Sequence, residues 1–302
     1  MGVYPGFLSA CKTLPAVPGI DGVARIAALA SEGLTDVSGA ALAVGDRIVS
    51  AAGFDIANGQ GSWQETVDLP ANLLSKVPSD AISDAAASSF FVNPVTVVGL
   101  LESAAVPPGG WLIVTSAVSG LSKILLQAAK ARGVKTVGVV RREEAVAEAL
   151  RHGATAAVRW SDDAPVDLAA AVREATGGEG LAHAAVDSVG GALTGALTDA
   201  VRDGGTVFVY GAQGGLSASV SVLALLFRGV TVRGFWLGPW LESLPAEGGR
   251  ARAAAQVWQL YAEGHVASAD ADAKTYPLGR FAEAVAESQR PARGGKTFLV
   301  NE

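Results

Sequence analysis

The sequence predicts an α/β protein, built on a doubly wound parallel sheet and joined to a mostly-β second part. Three observations carry that prediction. From about Pro94 onward, short apolar runs alternate with alanine- and leucine-rich stretches, the pattern of strands linked by crossover helices. Glycines stop these helical stretches at Gly133, Gly153 and Gly204-Gly205. Before Pro94 the chain carries short strand-like runs between proline and glycine punctuation.

Each element follows in turn. Gly22–Ile26 and Asp46–Val49 read as short strands, and Asp80–Ala87 as a helix start with an acidic first turn. Trp111–Thr115 is a buried strand, followed by a helix over Leu121–Arg132. Lys135–Val140 is the second strand, with a helix over Glu143–Arg151. Ala156–Val158, Ala182–Val186, Thr206–Tyr210 and Val230–Phe235 supply four more strands. Helices over Asp167–Thr176 and Leu193–Val201 lie between them. A helix near Ala251–Glu263 and a last strand, Thr297–Val300, close the chain. The expected division is a discontinuous β-rich part, 1–93 and 239–302, around a parallel-sheet part, 94–238.

Composition narrows the function. A chain of 302 residues is ordinarily about two domains. Half the residues are hydrophobic and 17% charged, which excludes a disordered chain. The net charge is −6, and no basic stripe is present, so nucleic acid is not an expected partner. The single cysteine, Cys11, allows no intrachain disulfide and fits a reducing compartment. The most apolar stretch, Ala85–Leu101, is broken by Ser88, Ser89, Asn93 and Pro94, so no membrane partner is expected. With no secretory signal pattern at the start, a cytoplasmic location is the expectation.

The turn after the first parallel strand, Thr115–Lys123, carries the main chemical signal. Small residues there let a phosphate approach the backbone and the helix N-terminus, as in a Rossmann-type unit. Only Gly120 is glycine, so the signal lies in the strand–turn–helix–strand context rather than in a G-x-G-x-x-G motif. Arg141 and Arg142 follow the second strand, where an NAD site usually has a carboxylate. Arginine there pairs with a 2′-phosphate and favours NADPH. The plainer reading is a solvated helix start paired with Glu143 or Glu144. Tyr210-Gly211 ends the fifth strand, on the nicotinamide side of such a site, or is an ordinary strand-ending turn. His152, His183 and His265 are scattered without metal-ligand spacing, so no metal is expected.

Further segments join these: Gly2-Val-Tyr-Pro5, Leu14–Gly19, Asn93–Thr96, Ser188–Gly191, Arg233–Leu237, Trp240 and Gly295-Lys296. Together they resemble the zinc-free branch of the medium-chain dehydrogenase/reductase superfamily. The likeness is nearest to the 2-enoyl thioester reductases of mitochondrial-type fatty acid synthesis, with quinone-reductase relatives. It implies a GroES-like substrate domain beside the Rossmann-type one. Family members carry further strands before the position of Tyr4, so an N-terminally shortened substrate domain is expected. The resemblance makes Tyr4 the catalytic tyrosine. It places Asn93, Ser119, Gly120, Leu121, Arg141, Arg142, Tyr210, Gly211, Phe235, Trp236, Leu237 and Lys296 around NADPH. Ser122 departs from the family's glycine, and Arg141-Arg142-Glu143 from its arginine–acid–arginine run.

Residue chemistry alone leaves plainer readings open. Tyr4 near a chain start is ordinarily frayed. Phe235 and Trp236 can simply fill an apolar interface, and Lys296 can be a surface lysine. The implied reaction is reduction of a 2-enoyl thioester, a small-molecule substrate. The alternatives are reduction of a quinone or α,β-unsaturated carbonyl, or NADPH binding without turnover. Family members pair as homodimers, and Val230–Phe235 is the candidate edge strand.

Overall fold

The computed structural model describes residues 14–163, 166–266, 273–290 and 295–301. The chain forms two compact units, Met1–Val95 with Ser243–Glu302, and Thr96–Glu242.

The first unit begins with an antiparallel sheet of β1 (Val23–Arg25), β2 (Arg47–Ser50) and β3 (Leu74–Lys76). Ile48 of β2 lies opposite Lys76, and Val23 opposite Val49. Ile26, Leu42, Ile48 and Leu74 form its apolar core. The acidic helix start expected at Asp80 is realised as a single turn, Asp84–Ala87, because Ser83 caps it by accepting from the Ala86 amide. A π-helical turn, Phe91–Val95, follows. Pro94 has no N–H to give a regular ladder, which suits this wider turn.

The second unit is the parallel sheet. Its strands are β4 (Trp111–Val114), β5 (Lys135–Val140), β6 (Ala156–Arg159), β7 (Ala182–Asp187), β8 (Val201–Val209) and β9 (Thr231–Gly234). The order is β6-β5-β4-β7-β8-β9 and every pairing is parallel. This is the doubly wound arrangement, with the order reversing between β4 and β7. β4 is buried along its whole length, which explains its unbroken apolar run.

The fifth strand departs from the sequence reading. The preceding helix ends at Ala200, and β8 begins at Val201 instead of Thr206. A register shift opposite β7 absorbs the glycine pair. Arg228 holds the segment by donating to the carbonyls of Val201 and Thr198, so the glycines do not end the ladder. Helices Thr96–Ala104, Val222–Phe227 and Leu237–Ser243 were not expected.

The first unit resumes with the helix Gly249–Ala262, then β10 (Lys274–Pro277), the helix Phe281–Ser288 and β11 (Thr297–Val300). β10 and β11 pair in parallel. Trp258 stacks on Phe90 and donates to Ser75, tying the long helix to β3. No helix among the described residues is long and apolar enough to cross a membrane.

Candidate active site

In the second unit the donors gather where β4 ends. The helix Gly120–Ala131 starts there with Ser119 as its cap, the Ser119 Oγ accepting from the Ser122 amide at 3.2 Å. The first-turn amides of Gly120 and Leu121 have no intrahelical acceptor and lie at the positive end of the helix. The structure therefore brings Ser119, Gly120 and Leu121 together at one helix N-terminus, an end whose open amides suit an anion. Ser122 is fully buried. Its hydroxyl donates to the Thr115 carbonyl at 3.0 Å, so this side chain binds the helix to the end of β4.

A buried polar cluster supports this turn. The Asp187 carboxylate, with no exposed surface, accepts from the Thr115 hydroxyl (3.2 Å), the Thr194 hydroxyl (2.7 Å) and the Val189 amide (2.8 Å). The Gly190 amide adds a longer contact at 3.3 Å. These bonds join the carboxyl ends of β4 and β7 to the start of the helix Gly191–Ala200. Sequence reading passed over Asp187, whose partner Thr115 is 72 positions away.

Tyr210 follows β8. Its hydroxyl is buried without a hydrogen-bond partner. Burial pushes its pKa above the ordinary phenol value, with Ser122, Ser188 and Asp187 as polar neighbours. Gly211 crosses the end of β7 so closely that a Cβ would stand 2.5 Å from the Ser188 carbonyl oxygen. Phe235 packs inward on Gly99, where a Cβ would come within 2.6 Å of its ring, and beside Trp240. Trp236 is 73% exposed, and Leu237 starts a helix.

Arg141 and Arg142 are both exposed at the end of β5. Arg142 makes a surface ion pair with Glu144 at 3.3 Å, a contact of small energetic weight. Arg159, in register with Val140 across the β5–β6 ladder, donates to the Arg141 carbonyl at 3.4 Å. Sequence reading missed this third guanidinium, which only strand register places at the corner.

In the first unit Asn93 sits within the π turn. The Asp21 carboxylate accepts from the Phe91 amide at 2.8 Å and the Val92 amide at 2.9 Å. Lys296 donates to the Ser89 hydroxyl at 2.9 Å and faces Asp21 electrostatically. Burial raises Asp21 to a pKa of about 6, opposed by the two amides and by Lys296. Burial also lowers the Lys296 ammonium from its ordinary value, opposed by Asp21. Tyr4 lies outside the described residues.

The histidines make local contacts. His183 Nδ1 accepts from the Trp111 amide at 3.2 Å, His152 stands 3.9 Å from Glu148, and His265 stands 3.1 Å from Glu263. Among the described residues no group of three or more His, Cys, Asp or Glu could hold a metal ion.

A family model described as zinc-binding dehydrogenase matches residues 120–247, close to the extent of the parallel-sheet unit. Human mitochondrial enoyl-[acyl-carrier-protein] reductase is 29% identical over 240 residues, covering 78% of this chain. The match spans 59% of that relative's length. The crystal structure of quinone oxidoreductase from Pseudomonas syringae pv. Tomato DC3000 superposes with a TM-score of 0.77. It has 26% identity, over 99% of this chain and 85% of that one. A mycobacterial protein complexed with NADPH superposes with a TM-score of 0.73 and 25% identity, over 96% and 83% of the two chains. In sheet order, matched family model and relatives alike, the chain is similar to reductases of the medium-chain dehydrogenase/reductase superfamily.

Proposed function

We propose that this protein is an NADPH-dependent, zinc-free reductase that saturates the carbon–carbon double bond of a 2-enoyl thioester. One observation carries the cofactor reading. A free helix N-terminus at Ser119–Leu121 and the arginines at the ends of β5 and β6, Arg141, Arg142 and Arg159, belong to the same sheet edge. The buried Tyr210 hydroxyl and the close-packed Gly211 turn lie at that edge too, so the residues present fit a dinucleotide. The likeness to the NADPH complex supports the same choice. The likeness to the human enoyl reductase supports the thioester substrate.

NADPH, when bound, supplies the hydride. The Gly120 and Leu121 amides hold the pyrophosphate, and Arg141 and Arg142 the 2′-phosphate. Asn93, Tyr210, Gly211, Phe235, Trp236, Leu237 and Lys296 are assigned to the ribose and nicotinamide side. Tyr4 is assigned the proton chemistry. A phenol with a reference pKa of about 10 keeps its proton at neutral pH and can donate toward the thioester oxygen or α-carbon. Negative charge on that oxygen is where a preorganised donor lowers the barrier most.

A second reading is reduction of a quinone, favoured by the likeness to the Pseudomonas enzyme over nearly the whole chain. Following NADPH absorbance with crotonyl-CoA and, separately, 1,4-benzoquinone decides between them. Turnover of the thioester, strongly slowed in Tyr4→Phe, is the expected result. Turnover of the quinone alone, indifferent to Tyr4→Phe, overturns the thioester reading. NADPH binding without turnover of either overturns the enzyme reading.

The proposed assembly is a homodimer. Among the described residues β9 ends the sheet and pairs only with β8. Beside it in the chain Val222, Leu223, Leu226 and Phe227 are each more than 60% exposed, an apolar patch of the kind that marks an interface. Light scattering is expected to give twice the chain mass, and Phe227→Asp the single mass. A monomeric wild type overturns the assignment.

A further inference from the structure

We propose that Asp21 is a positioning residue: its carboxylate, partnered by the Lys296 ammonium, holds the Phe91–Val95 turn in the form that presents Asn93. This rests on the reading of Asn93 as a cofactor contact. The geometry is specific. A π-helical turn leaves its first amides without the acceptors of a regular helix, and Pro94 removes a donor that could rebuild one. Asp21 supplies both missing acceptors, one oxygen to the Phe91 amide and the other to the Val92 amide. An ionised carboxyl accepts at both oxygens in charge-assisted bonds, whereas a protonated one offers a hydroxyl oxygen, a weaker acceptor, to one of the two amides.

The groups facing Asp21 can be named. From the turn come the two amides, and from the segment before β11 comes Lys296. Ser89 engages the ammonium, and Ser62 donates to the Asp21 carbonyl, leaving the carboxylate to the turn. Arg47 and Asp84, which share the same cavity wall, pair with each other at 2.7 Å.

A pH consequence separates positioning from plain stabilisation. The carboxyl titrates at about 6 when folded against a reference of 3.8. The folded state thus binds more protons between these values, and this group's contribution to stability falls as pH rises through that window. Acid pH therefore favours the fold at this site while it weakens one of the two amide bonds. A loss of cofactor affinity on acidification would run opposite to the stability change. At pH 5 such a group is about nine-tenths protonated, so affinity would fall about tenfold if only the ionised form holds the turn.

The test is an NADPH titration by fluorescence from about pH 5 to 7.5 on wild type, Asp21→Asn and Lys296→Met. The 2′-phosphate titrates in the same range, so each profile is read as its ratio to that of Asp21→Asn, which cancels the ligand's own step. The expected result is a wild-type ratio that drops about tenfold toward pH 5. In Lys296→Met the drop moves to higher pH, because the cation favouring the ionised form is gone. A flat ratio for wild type, or a midpoint unmoved in Lys296→Met, overturns the proposal. Should Asp21→Asn fail to fold, NADH, which has no 2′-phosphate, replaces NADPH for the other two proteins. A separate readout needs no cofactor: hydrogen exchange at the Phe91 and Val92 amides. Protection that falls in wild type below pH 6 supports the carboxylate's hold on the turn even if NADPH does not bind. Protection independent of pH overturns it.

Discussion

Replacing Asp187 by asparagine tests the polar cluster beneath the cofactor turn. The carboxylate takes two hydroxyls and two amides with no solvent contact. Asparagine is nearly the same size, so the change is one of hydrogen bonding and charge. If its carbonyl keeps the Oδ1 position, the Val189 amide and the Thr115 hydroxyl remain satisfied. Its amino group then faces the Thr194 hydroxyl, which can rotate to accept, while the Gly190 amide keeps its 3.3 Å contact with Oδ1 and loses the one with Oδ2. The variant loses charge-assisted bonds worth about 1.5–3 kcal/mol. It also loses a negative charge at the start of the helix Gly191–Ala200, worth about 0.3–1 kcal/mol. A total near 3 kcal/mol converts, at roughly 2 °C per kcal/mol for a chain of this length, to a Tm about 6 °C lower by calorimetry. Thr194→Val, which removes one donor and leaves the charge, is expected to cost about 1 kcal/mol. An Asp187→Asn protein melting within 1 °C of wild type would refute the assigned network.

Two other substitutions probe the same crevice. Tyr210→Phe removes a buried hydroxyl that has no partner, so Tm is expected to hold or rise; a loss above about 1 kcal/mol would show that the hydroxyl is bonded. Gly211→Ala drives a Cβ against the Ser188 carbonyl and is expected to cost about 1–3 kcal/mol and weaken NADPH binding, both read in one thermal-shift titration. An unchanged Tm for Gly211→Ala would contradict the close approach of the two turns.

How much was legible in the sequence follows from what each element depends on. β4 and β5 are buried on both faces, so their apolar runs announce them. The helix between them has a serine cap and a glycine stop, both local signals. The helix Val222–Phe227 has neither polar alternation nor a buried apolar stripe, since only Ala224 is buried, and its sequence carries no helical period. β8 was shortened in the reading because Gly204-Gly205 looks like a terminator. Arg228, whose bonds continue the strand, lies 27 positions beyond Val201.

The candidate site divides in the same way. Ser119–Leu121 and Arg141-Arg142 were readable because each lies next to the strand that places it. Asp21 carries no local signal of a role in the sequence. Its amide partners lie 70 and 71 positions away, and the contact of Lys296 with Ser89 spans 207. No local pattern could have joined these residues.

The most direct measurement is a fluorescence titration of NADPH and NADH on wild type and Arg141→Ala. The central claim is that the carboxyl edge of the parallel sheet binds a dinucleotide through a helix N-terminus and selects its 2′-phosphate by arginine. A charge-assisted pair of about 1.5–3 kcal/mol predicts NADPH bound roughly 10- to 100-fold more tightly than NADH by wild type. In Arg141→Ala that preference should fall severalfold, with Arg142 holding the remainder, while NADH affinity stays the same. Equal binding of the two by wild type, or an unchanged preference in the variant, would contradict the account.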